Sequence, residues 1–130
     1  MNNIFRAWDK ENNCMVDVDF LGEAVVKITN AEWENIEHFD IMQSTGLKDK
    51  NSEEIFEGDY VLIGHPERPG YGNTSIFRID KVKNLWGYEF IWQPIKGYYC
   101  STHILEDDYS NCEVIGNKYE TQLSKILAII

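Results

Sequence analysis

The residues with the widest chemical repertoire are three cysteines, at 14, 100 and 112, and three histidines, at 38, 65 and 103. Cys100-Ser101-Thr102-His103 has a metal-ligand spacing, and Cys112 and His65 could complete a soft four-ligand set. Structural zinc, however, draws on two short paired spacings, and here one pair stands alone while Cys112 sits in an apolar run. A buried thiol acting as a small hydrophobe is the better account of Cys112. A thiol nucleophile needs a neighbouring His and a third group to orient it, and no such signature flanks Cys100 or Cys112. Paired carboxylates fare no better. Asp17 and Asp19 alternate on a strand face that should be wet, and Glu106-Asp107-Asp108 reads as a solvated turn. Pro69-Gly70-Tyr71-Gly72-Asn73 lacks the Gly-Lys-Ser/Thr ending of a phosphate loop, and no helix-forming segment follows it. The expectation is a protein that is not an enzyme, with no catalytic, cofactor-binding or metal-ligating residues.

The aromatic residues carry the remaining signal. Trp86, Tyr88, Trp92, Tyr98 and Tyr99 crowd the second half of the chain beside Tyr71. Packing of a small β core accounts for most of them. A surplus should reach the surface, where Trp and Tyr favour protein interfaces, so Tyr71, Trp86, Trp92, Tyr98 and Tyr99 are the candidate partner-binding residues. The same platform could stack single-stranded bases. Charge opposes that: the chain carries −10, and no cluster of Lys and Arg suits a phosphate backbone. The imbalance is uneven, with 14 acids and 5 bases in residues 1–59 against 8 and 7 in the rest. Such an acidic half serves as a solvated surface, or alternatively as a DNA mimic that inhibits a basic host protein.

Periodicity supplies the elements that must position these groups. Ile4–Trp8 and Cys14–Leu21 flank the polar loop Asp9–Asn13 as a hairpin, with Val16, Val18 and Phe20 on the buried face. Ala24, Val26 and Ile28 line one side of the next strand. Thr29-Asn30-Ala31-Glu32 has the form of a capping box, which predicts one or two helical turns through Trp33 and Ile36. Gly46 breaks the extended run from Asp40, Glu57-Gly58-Asp59 makes a tight turn, and Tyr60–Ile63 is a buried strand. Residues 64–73 form a surface loop, and Ser75–Lys83 with Gly87–Gln93 forms a second hairpin. Asn117 and Glu120 again form a capping box, opening a C-terminal amphipathic helix of about three turns through Leu123, Ile126, Leu127 and Ile130.

Four blocks lie along this framework: Phe5-Arg6-Ala7-Trp8-Asp9-Lys10, Thr45-Gly46-Leu47-Lys48-Asp49-Lys50-Asn51, Ile55-Phe56-Glu57-Gly58-Asp59 and Cys112–Glu120. In this order they resemble the YopX family of phage and prophage proteins. The match departs from the pattern over residues 21–40 and 65–110. The resemblance implies a mostly β fold and a phage or prophage origin in bacterial cytoplasm, and it brings no catalytic residues.

At 130 residues, with 43% hydrophobic content, the chain suits one folded domain or two small lobes. The expected fold class is mainly β. A β-rich N-terminal segment spans residues 1–40, and an SH3-like small barrel with a short C-terminal helix spans residues 41–130, or the whole forms one unit. The odd cysteine count and the lack of a long apolar run place it in the cytoplasm, off the membrane. The expected role is a non-enzymatic interaction module that binds a host protein or itself; edge strands and the apolar tail Ile126–Ile130 favour the latter.

Overall fold

Alternation of apolar and polar residues resolves, among the described residues, into ten strands, all paired antiparallel. A computed structural model of the chain describes residues 4–64, 74–97 and 112–129. The first six strands are β1 (Phe5–Asp9), β2 (Cys14–Leu21), β3 (Val25–Ile28), β4 (Trp33–Asn35), β5 (Phe39–Lys48) and β6 (Glu54–Phe56). They form one sheet in the order β4-β3-β2-β1-β5-β6. The other four are β7 (Asp59–Gly64), β8 (Thr74–Asn84), β9 (Gly87–Gly97) and β10 (Cys112–Asn117), in the order β10-β7-β8-β9. A mainly β fold is thus the observed one, and the four-stranded sheet is compatible with a small SH3-like barrel. The helix α1 (Leu123–Leu127) closes the described chain.

Each sheet has its own apolar centre. Ala7, Val18, Val26, Ile28 and Phe39 pack together in the first. Val61, Ile63, Phe77, Ile79, Trp92 and Cys112 pack in the second, joined by Ile55 from β6. Ile126 of α1 is fully buried against Tyr60 and Ile76, so the helix packs on its own sheet.

Four local expectations are corrected. Residues 33–38 are not α-helical: Trp33-Glu34-Asn35 pairs with β3, and a 3-10 turn, Ile36–His38, follows with Asn35 as its cap. The Thr29 hydroxyl bonds Asp19 on β2 instead of capping a helix, so sheet pairing overrides the local signal. Phe20 is not buried. A bulge between Val18 and Phe20 shifts the register against β3 and turns the ring outward. Gly46 does not end β5; it adopts φ +80° at an irregularity, and the strand runs on to Lys48. Finally, α1 covers five residues, not about three turns, because Asn117 caps the turn before it and Gln122 offers no side-chain cap. Ile130 lies outside the described residues.

Candidate functional site

Four polar residues of the sequence blocks, Asp9, Asp49, Asp59 and Asn117, turn inward and are held by the fold. Asp9 Oδ1 accepts the backbone N–H groups of Glu11 and Asn12, and Oδ2 accepts the Asn12 amide, which closes the β1–β2 turn. The Asn12 amide leads in holding the Asp9 carboxyl below its ordinary range. Asp49 Oδ1 accepts from Asn51 and Glu53, and its Oδ2 accepts the Val114 N–H of β10 at 2.9 Å. Lys50 N–H donates to the Cys112 carbonyl beside it, so this turn docks one sheet onto the other. Asn117 Oδ1 accepts from Tyr119 and Glu120 in the same manner. These are turn-forming side chains satisfied by nearby main chain.

Asp59 is the deepest of them, at 1% exposure. One oxygen accepts the Phe56 N–H at 2.8 Å, and the other accepts Arg6 Nη2 from β1 at 2.5 Å. The Arg6 guanidinium lies 4.6 Å from the centre of the Phe56 ring. Its Nε has no acceptor among the described residues. Burial pushes the Asp59 carboxyl above its ordinary range, against the opposing pull of Arg6 and the Phe56 N–H. Trp8 stacks on Tyr119 with ring centres 5.5 Å apart and ties the sheets together once more. The joint is charged, yet it is closed, and both Asp59 oxygens are engaged.

The second hairpin is the opposite case. β7 pairs with Thr74–Arg78 of β8, so beyond Ile79 the β8–β9 pair continues as a two-stranded arm. From Asp80 to Asn84 the arm runs roughly 13 Å at strand rise. Its turn is Asn84-Leu85-Trp86-Gly87: the Asn84 side chain accepts the Trp86 N–H at 2.8 Å, and Gly87 takes φ +124°. Leu85 and Trp86 keep negative φ, as the central residues of a type I turn do, with Asn first and Gly last. That geometry asks nothing apolar of them. They are nevertheless 96% and 94% exposed. Each would gain about 1.5–3 kcal/mol on being taken out of water. The register puts Lys81, Lys83, Tyr88 and Phe90 on one face of the arm, and Lys81 Nζ lies 4.7 Å from the Tyr88 ring centre.

At the base of the arm is an open groove of about 410 Å³, lined by Glu57, Gly58, Arg78, Ile79, Asp80, Lys81, Val82 and Lys118. Its charges are largely matched. Arg78 holds Asp80 through two hydrogen bonds of 2.7 and 3.0 Å, and that pairing raises the guanidinium above its ordinary pKa.

A second exposed apolar patch lies on the first sheet. Phe20 of β2 stands opposite Lys27 of β3, which stands opposite Trp33 of β4. The two rings stack over this row at 6.4 Å, with exposures of 66% and 51%, and Val25 extends the patch along β3. Lys27 is turned into its own loop, donating to the Ile28 and Ala31 carbonyls. Around the patch the same strands and their connections carry Asp17, Asp19, Glu23, Glu32, Glu34 and Glu37, all exposed.

Of the five residues singled out from sequence, Trp86 is at the arm's tip. Trp92 is 4% exposed and packs edge-to-face on Phe77, so it belongs to the core and cannot line a surface contact. It shares one face of β9 with exposed Tyr88, and the arm meets the body of the sheet between them. Tyr71, Tyr98 and Tyr99 lie outside the described residues, as do Cys100, His103 and His65. Cys112 is fully buried, and burial pushes its thiol up to about 11, with Asp49 adding to the effect. Leu85, Phe20 and Trp33 are the exposed residues that sequence reasoning missed. For Leu85 a signal existed: two large apolar residues stand between a turn Asn and a turn Gly.

The architecture defines a class: a mostly β protein of two antiparallel sheets, sealed by buried carboxylates and bearing an exposed apolar arm. Within that class the chain belongs to the YopX family, whose model, described as YopX protein, matches residues 4–123. Among solved structures it is similar to the crystal structure of protein EF1440 from Enterococcus faecalis. The two share 28% identity with a TM-score of 0.60, over 89% of this chain and 92% of that one. No curated protein matches it.

Proposed function

We propose that this YopX-family chain is a non-enzymatic protein-interaction module of phage or prophage origin, acting in bacterial cytoplasm through its β8–β9 arm. The observation that carries the reading is the pair Leu85-Trp86, held almost wholly in water by a turn that does not require either residue. Large exposed apolar side chains at the end of a two-stranded ribbon are the form of an interface anchor. The inward use of Asp9, Asp49, Asp59 and Asn117 supports the non-enzymatic half of the reading, since these carboxylates and amides are already satisfied. No helix of the described residues is long and apolar enough to cross a membrane.

A second reading has its own observation. The six exposed acids of the β2–β4 region suit an acidic inhibitor or DNA mimic directed at a basic host protein. Binding of single-stranded nucleic acid through the aromatics is the third reading, and the net charge of −10 works against it. One experiment separates them: capture from bacterial lysate by the full chain and by a Leu85→Ser/Trp86→Ser variant, at low and high salt. The arm reading expects a protein held at both salts by the wild type and depleted at least about tenfold with the variant, as loss of a central anchor costs. A protein released by salt and indifferent to the variant would favour the acidic inhibitor instead.

A further inference from the structure

Resting on the reading of the arm as the contact element, we infer that its partner is a second copy of this chain, joined head to tail. The Leu85-Trp86 tip of one copy seats on the Phe20–Trp33 patch of the next. Three observations converge on that pairing. Both surfaces are apolar, aromatic and open in the single chain, so they do not cover one another within one copy. Their charges are opposite. One face of the arm presents Lys81 and Lys83 beside exposed Tyr88, with half-buried Phe90 packed behind them on the core, while its acids Asp80 and Glu89 fall on the other face. Residues 14–37, which carry the patch, hold six acids, of which Glu34 stands opposite buried Val26 on the other face, and one base, Lys27, which is occupied by its own loop.

The two elements also differ in form. The arm is a two-stranded ribbon ending in two large side chains, and the patch is a three-stranded surface with a stacked ring pair. A basic aromatic ribbon therefore meets an acidic aromatic sheet, with the apolar tip at the centre and the charges around it. Because donor and acceptor surfaces differ, the contact is heterologous. It propagates from copy to copy and either closes into a ring or continues as a chain.

The test uses sedimentation of the full chain over a range of concentrations, at low and physiological salt. Two variants are compared, Trp86→Ser in the arm and Phe20→Ser/Trp33→Ser in the patch, each checked by its thermal midpoint. Wild type is expected to sediment above 15.2 kDa, and each variant alone at that mass. An equimolar mixture of the two is expected to form a species of twice the monomer mass and no larger. It contains one intact tip and one intact patch per pair and cannot propagate. Lys83→Glu should weaken wild-type assembly about tenfold while leaving the fold intact.

Wild type remaining monomeric throughout would overturn the inference, and so would a mixture that stays monomeric. Self-association of the patch variant alone would mean a tip-to-tip contact and would overturn it too. A single-stranded oligonucleotide that shifts wild type but not Trp86→Ser would assign the arm to nucleic acid instead. Monomeric wild type that still captures another protein through Trp86 would leave the arm as a contact element with a different partner. Loss of both would remove the underlying reading as well.

Discussion

At the joint between the sheets, carboxylates and amides turn inward and spend their hydrogen bonds on main chain. At the end of the β8–β9 arm, two large apolar side chains turn outward and spend nothing. Asp59 is 1% exposed and Trp86 is 94% exposed, and they sit in one small chain. The difference separates what holds this fold from what remains to be used by it. Residues that join β1, β5, β7 and β10 are committed, and replacing them should cost stability. Residues at the tip and on the Phe20–Trp33 patch contribute little to folding, so their apolar surface calls for another explanation.

The contrast breaks most sharply at Asp59. Asp59→Ala leaves Arg6 buried without its counter-charge and the Phe56 N–H without an acceptor, and should lower the unfolding free energy by about 3–5 kcal/mol. Denaturant titration measures it; a loss under about 1 kcal/mol would mean the joint is not held as described. Asp49→Ala comes next, removing three backbone acceptor bonds, one of them to Val114 across the joint. About 2–3 kcal/mol is expected from the same titration.

Cys112 gives a pH signature of the second core. Its thiol rises from 9.0 to about 11 on folding, so the unfolded chain gives up the proton first. Stability is fully present below pH 9 and is lost as pH climbs toward 11, by about 2–3 kcal/mol relative to Cys112→Val. Parallel pH profiles for the two proteins would contradict the burial. The smallest expected effect is at the arm: Trp86→Ser should change unfolding free energy by less than about 0.5 kcal/mol. A larger loss would show that the tip supports the fold, and the contrast would dissolve.

Much of this frame is legible in the sequence because it rests on local chemistry. The β1–β2 hairpin follows from alternation and the polar Asp9–Asn13 loop, and the turn Glu57-Gly58-Asp59 follows from a Gly ahead of an apolar strand, though the pairing of Asp59 with Arg6 does not. The apolar setting of Cys112 also placed its thiol in the core. What escaped depends on pairing between distant residues. The bulge before Phe20 reverses the direction of its ring, and only the register with Lys27 reveals it. Trp33 reads as helical until β4 is seen against β3. Trp92 and Trp86 look equivalent by composition; the point where β7 stops pairing with β8 separates core from arm.

The most direct test of the central claim is site-specific photo-crosslinking in cells that make the full chain. The photoreactive residue is placed at position 86 in one case and at exposed Lys48 in the other. A contact element at the arm's tip predicts a discrete protein adduct from position 86 and none from position 48. No protein adduct at 86, or equal yields at both positions, would contradict the account.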